Sequence, residues 1–220
     1  MVIKISYALL VKKLYLIKKI EKKDGIITSD EIKEYCKNKI INLNYNNAIS
    51  YLLNNNYLER IFRGIFYIRS IEEKKNKTSN INYFETISKA LKIKNVKNWY
   101  FGLESALKLN NLTHETFFIE TIITNKIKNT NPIKILNKKT KITKINSIKF
   151  NFGIKKEKIN NEIYYYSDTE RTLLDIVFLL KYNNHKIYEI KNKISDYKYN
   201  KNKLNRYLKY YPKSIKEVFK

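Results

Sequence analysis

Residues 26–69 constrain this chain more than any other stretch. They run Ile26-Ile-Thr-Ser-Asp-Glu-Ile-Lys-Glu-Tyr-Cys36, then Leu43-Asn-Tyr-Asn-Asn-Ala-Ile-Ser-Tyr-Leu-Leu53, then Tyr57-Leu-Glu-Arg-Ile-Phe-Arg-Gly-Ile-Phe-Tyr-Ile-Arg69. Ile26-Ile27 suits a short strand. Thr28 and Glu31 have capping-box spacing: the hydroxyl takes an amide of the first helical turn and the carboxylate reaches back to the cap. The helix they open carries Ile32, Tyr35 and Cys36 on one face. A second helix over about 44–55 lines up Tyr45, Ala48, Ile49 and Leu52. Leu58 to Ile61 and Ile65 to Ile68 alternate as two strands around Phe62-Arg63-Gly64, where Gly64 can take the positive φ of a tight hairpin. Helix, turn, helix and hairpin together predict a winged helix-turn-helix over residues 1–72, an arrangement that places a helix and a basic ribbon on duplex DNA.

The outer face of the second helix, Asn44, Asn46, Asn47, Ser50, Tyr51 and Asn54, is polar and nearly uncharged. Asn makes paired hydrogen bonds to adenine in the major groove, and Ser or Tyr reaches phosphates. Of the five arginines in the chain, three (Arg60, Arg63 and Arg69) lie in the hairpin. Arg63, at its tip, can enter a minor groove, which A·T-rich sequence narrows and makes more negative.

The net charge is +25, which points to a polyanionic partner. An A·T-rich coding sequence also enriches Lys, Asn, Ile and Tyr, but it does not place arginines in one hairpin. Charge is uneven: residues 1–75 carry 15 basic against 8 acidic residues, 121–160 carry 11 against 1, and 181–220 carry 12 against 3. The helix-turn-helix segment is therefore not the most basic part, and a second positive surface is expected in the C-terminal half. Its strand alternation points to Lys141, Lys144 and Lys149.

Cys36 is the single cysteine, so no intrachain disulfide can form, and a reducing, cytoplasmic setting is expected. The longest apolar run, Tyr7 to Val11, is too short to span a bilayer, and the N-terminus lacks a signal-peptide pattern. Residues 5–22 read as a helix with Leu10, Leu14 and Ile17 on a stripe; its wider apolar flank suits either a monomer or a homodimer. Residues 73–82 lack apolar periodicity and read as a linker.

An α+β domain with a mixed β-sheet is expected over 83–220. It starts with a helix near 83–93 and a strand end leading into a helix over Trp99 to Leu109. A buried strand follows at Phe117 to Ile123, then strand-like patterns from Ile133 to Tyr166. Ser167 to Glu170 is spaced as a capping box for the helix Arg171 to Leu180, and short helices flank Pro212.

Little points to an enzyme. The four glycines build no phosphate loop, and His114 and His185 have no partners at metal spacing. No cofactor or metal is expected. Asp168, Glu170 and Asp175 form the acidic cluster of the basic half. Arg171 lies between them, which favours capping and ion pairing over acid–base work.

Three blocks occur in a telling order: the hairpin Leu58-Glu-Arg-Ile-Phe-Arg-Gly-Ile-Phe-Tyr-Ile68, then Tyr100-Phe-Gly-Leu-Glu-Ser-Ala-Leu-Lys-Leu-Asn-Asn-Leu-Thr113, then Ser167-Asp-Thr-Glu-Arg-Thr-Leu-Leu-Asp175. This order resembles the AbiEi-type antitoxins of abortive-infection (type IV) toxin–antitoxin systems, over about residues 10–215. The resemblance implies a transcriptional regulator that binds an inverted-repeat operator of its own operon. It also implies a C-terminal domain that counters a nucleotidyltransferase-like toxin. Within it, Ser167, Asp168, Glu170, Arg171 and Asp175 are the family block, read as structural. Thr169 stands where the family usually has Pro, and Asn110-Asn111 where it has His-Gly. Two further readings share the architecture: a protein-interaction module whose helix-turn-helix is mainly scaffold, and a stand-alone regulator. RNA binding ranks below them.

Overall fold

The computed structural model describes residues 2–20, 25–115, 117–145, 150–160 and 162–219. They form two compact units, Met1–Lys94 with Ile135–Asn137, and Asn95–Lys134 with Lys138–Lys220.

In the first unit, α1 (Val2–Ile20), β1 (Ile26–Thr28), α2 (Ser29–Lys37) and α3 (Tyr45–Asn54) lead into the hairpin β2 (Leu58–Phe62) and β3 (Ile65–Ile68), followed by α4 (Ile71–Asn76) and α5 (Tyr83–Ile93). The strands make an antiparallel sheet in the order β1-β3-β2. Thr28 caps α2 through both halves of the capping box. Asn44 caps α3, its Oδ1 accepting from the amides of Asn46 and Asn47. The apolar stripes meet in one core: Leu10 and Leu14 from α1, Ile32 and Cys36 from α2, Leu52 from α3 and Phe66 from β3. Each large side chain fully buried there contributes about 1.5–3 kcal/mol.

The stretch 73–82, expected as a linker, is in fact stitched into this unit. Ser70 opens α4 with a capping box to Glu73. Glu73, only 3% exposed, accepts hydrogen bonds from Lys18 Nζ (2.7 Å), Tyr67 Oη (2.7 Å) and the amides of Ser70 (2.7 Å) and Asn80 (2.6 Å). Burial works to raise its pKa, but these donors outweigh it and hold the carboxyl down at about 2. The same burial and the adjoining carboxylate push the Tyr67 phenol well up. The Ser70-x-x-Glu73 spacing is the readable sign of this helix start, whereas the partners from α1 and β3 carry no local signal.

The second unit contains β4 (Trp99–Phe101), α6 (Leu103–Leu109), β5 (Ile119–Thr124), β6 (Ile133–Ile135), β7 (Lys138–Lys144), β8 (Ile154–Ile159), β9 (Glu162–Ser167), α7 (Thr169–Tyr182), α8 (Ile187–Ile194), α9 (Lys201–Tyr207) and α10 (Lys213–Lys216). The sheet order is β6-β7-β5-β4-β9-β8. β4 pairs antiparallel with β5 and parallel with β9, and β5 pairs parallel with β7. The sheet is therefore mixed and the protein is of the α+β class. Leu173, Leu174 and Val177 of α7 pack with Ile190, Leu204 and Ile215 in a second core.

Four local expectations differ. The strand foreseen from Phe117 starts at Ile119, leaving the Phe118 ring 88% exposed. Phe150 to Phe152 lie outside any strand. Helix α8 was not foreseen: it buries little beyond Ile190 and Ile194, too few positions for a clear stripe. The cap of α7 is Asp168, accepting from the Arg171 amide, rather than the pair Ser167 and Glu170. Ser167 Oγ instead meets Thr172 Oγ1 at 2.7 Å, and Glu170 accepts from the Asn200 amide and from Lys203. Among the described residues, no helix is long and apolar enough to cross a membrane.

Candidate nucleic-acid interface

Ser29, the first residue of α2, joins two elements that sequence reading treated separately. Its amide donates to the Gly64 carbonyl at 2.9 Å, in the turn between β2 and β3. Its Oγ accepts from Tyr45 Oη, on the first turn of α3, at 2.9 Å. The hairpin tip and the start of α3 are thus held within one residue's reach of each other. Gly64 sits at φ +82°, and a Cβ there would come within 3.3 Å of Ser29 Oγ, so the turn needs glycine both for its backbone and for the close approach.

Around this junction, Asn46, Asn47 and Ser50 are exposed on α3, with Asn54 further along, and Arg63 is exposed at the tip. The Arg63 carbonyl accepts from Lys94 Nζ at 2.9 Å, which fastens the backbone of the tip. Arg60 is exposed on β2, with its guanidinium 5.7 Å from the centre of the Phe66 ring. An exposed carboxylate also lies nearby: Asp30, paired with Lys33 at 3.0 Å.

Three of the expected contact residues have other work. Arg69 is only 7% exposed. It pairs with Glu59 at 2.7 Å and donates to Asn56 and Ser79, so it belongs to a buried ion pair and is not available as a groove contact. Asn44 spends its side-chain oxygen on the cap, although it remains exposed. Tyr51 is half-buried, its ring 4.3 Å from that of Tyr7 and 6.0 Å from that of Tyr57. These rings join α3 to α1 and to the segment before β2, which limits the reach of the Tyr51 hydroxyl.

In the second unit, Lys141 and Lys144 are exposed on β7. Lys149 lies outside the described residues. The Ser167–Asp175 block is an enclosed network. Arg171 and Asp175 are fully buried. The guanidinium lies 4.3 Å from the ring centres of both Tyr100 and Phe152, donates to the Phe152 carbonyl, and sits 3.7 Å from Asp175. Asp175 accepts from Tyr100 at 2.7 Å and from Tyr211 at 2.6 Å. Burial raises the pKa of its carboxyl above the ordinary value, against the pull of Arg171 and the two phenols. At the mouth of the block, Lys203 bridges Asp168 (3.0 Å) and Glu170 (2.7 Å). Gly153 (φ +58°) passes so close that a Cβ would lie 2.8 Å from Arg171 Cβ. Aromatic faces and protein donors fill the space around the charged pair, so this constellation organises the fold around α7.

The fold and the α3–hairpin junction describe an α+β protein with a helical first unit and a second unit built on a mixed six-stranded sheet. No known family profile matches the sequence, and no curated protein does. Among solved structures, the chain is similar to the RV2827C protein from Mycobacterium tuberculosis. That crystal structure superposes with a TM-score of 0.55, over 93% of this chain and 72% of that chain, at 10% identity. At that identity the likeness is one of fold.

Proposed function

We propose that the first unit is a winged helix-turn-helix and that the protein is a DNA-binding transcriptional regulator. In this reading α3 enters the major groove and the β2–β3 turn is the wing. The observation that carries it is the Ser29 junction, which holds an exposed arginine at the hairpin tip beside the exposed asparagines of α3's first turn. Asn46, Asn47, Ser50 and Asn54 would read base edges, and Arg60 and Arg63 would supply phosphate or minor-groove contacts. The contact set is smaller than the sequence suggested, because Arg69 is consumed inside the protein.

The resemblance to AbiEi-type antitoxins extends the proposal. The regulator would act in the cytoplasm on an inverted repeat upstream of its own gene, and the second unit would counter a nucleotidyltransferase-like toxin. The test is footprinting of the purified chain on that upstream DNA with unrelated A·T-rich fragments as competitor. A protected inverted repeat that survives competition is expected. Binding that the competitor abolishes would overturn sequence-specific regulation. The antitoxin half is tested by co-expression with a nucleotidyltransferase-like protein encoded beside this one. Growth is expected to be restored, and continued toxicity would limit the chain to regulation.

A further inference from the structure

The second unit contains an open cavity of about 620 Å³ between β7, the C-terminal half of α7 and the start of α6. That volume suits a small-molecule site. Four lysines surround it: Lys128 before β6, Lys141 and Lys144 on β7, and Lys193 on α8. All four are exposed. Apolar side chains form its floor, among them Ile176 and Leu179 of α7, Ile142 of β7 and Ile145 just after it. Thr143 Oγ1, also in the lining, is shielded from solvent and has no hydrogen-bond partner among the described residues. Glu104 lines the wall.

The lining asks for a ligand of mixed character. A bare phosphate would satisfy lysines but leave the apolar floor wet, and an aliphatic chain would leave the lysines unanswered. Glu104 opposes a uniformly anionic ligand and favours hydrogen-bond donors on one part of it. A flat body with ring amino groups, joined to two or more negative charges, answers every part of the wall. We propose that this cavity binds a nucleoside phosphate, with the base on the α7 floor and the phosphates among Lys141, Lys144 and Lys193. The proposal is independent of the DNA-binding reading, since its residues lie in the other unit.

The test is isothermal titration calorimetry of the full chain at about 0.15 M salt, the range in which surface charge is well screened. The ligands are ATP, GTP, adenosine and tripolyphosphate. Saturable one-to-one binding of a nucleotide is expected, with adenosine and tripolyphosphate each about tenfold weaker or more. The double variant K141A/K144A should lose about tenfold in affinity, whereas R63A, on the first unit, should bind nucleotide unchanged. These lysines are exposed, so the double variant should fold, and its circular dichroism checks that it does. Absence of saturable nucleotide binding would overturn the proposal. So would tripolyphosphate binding as tightly as ATP, or an affinity indifferent to K141A/K144A, because the chain's general positive charge would then account for the signal.

Discussion

Replacing Glu73 by Gln tests how a stretch without periodicity becomes part of the first unit. Four donors converge on two carboxylate oxygens: Tyr67 Oη and the Asn80 amide on one, Lys18 Nζ and the Ser70 amide on the other. Gln offers one oxygen and turns an NH2 group toward two of those donors. A carboxyl held at about 2 instead of the ordinary 4.5 contributes roughly 3 kcal/mol at neutral pH, at about 1.4 kcal/mol per tenfold. Lys18 keeps its side chain 23% exposed, and water screens its share, so a loss of about 2–3 kcal/mol is expected. The sign follows from the folded pKa lying below the unfolded one. The contribution is fully present above pH 4.5 and is lost as the pH falls from there through about 2. Urea denaturation followed by far-UV circular dichroism should therefore show E73Q less stable than the native chain at pH 7, with the gap closing as the pH drops toward 2. Trp99, the only tryptophan, is buried in β4 of the other unit, and its fluorescence follows that unit separately. A gap under about 1 kcal/mol at pH 7, or one that does not narrow in acid, would refute the reasoning.

The two hairpin arginines should separate cleanly. R63A is expected to weaken operator binding by about 1–3 kcal/mol with stability unchanged. R69A strands Glu59 and should cost about 3 kcal/mol of stability while the folded fraction binds DNA normally; fluorescence anisotropy and urea titration of both variants check the pair. Asp175→Ala leaves Arg171 buried and uncompensated, a loss of about 3–5 kcal/mol, and a fully stable variant in urea titration would refute the enclosed-network account. If about six phosphates are neutralised, log K should fall with log salt at a slope of roughly −5; a flat plot in an anisotropy titration would contradict an electrostatic DNA interface.

Local rules with short reach were legible in the chain. Thr28 and Glu31 announced the start of α2, and Gly64 the hairpin turn, because capping and positive φ are settled within a few residues. The apolar stripe of Leu10, Leu14 and Ile17 marked the buried face of α1, because helical periodicity alone brings those positions together. The Ser167–Asp175 block stood out as a run of chemistry, although its actual cap, Asp168, was one residue from the expected one. Arg63 was readable as an exposed tip; Arg69, in the same hairpin, was not readable as buried. Whether an arginine just past a strand is buried depends on the partners that folding brings beside it, here Glu59, Asn56 and Ser79. Glu73 depends on partners from α1, β3 and the segment after α4, and the nucleotide-sized cavity on lysines from three separate elements. Sequence by itself determined the capped and strongly periodic segments, such as α1, α2, α3 and the β2–β3 hairpin, and their apolar faces, since those follow from neighbours along the chain; apolar periodicity did not mark α4 or α8, whose few buried positions make no stripe. Tertiary structure alone decided which charges are spent inside and which remain for a partner, because pairing a charge needs groups that only folding brings within hydrogen-bond distance.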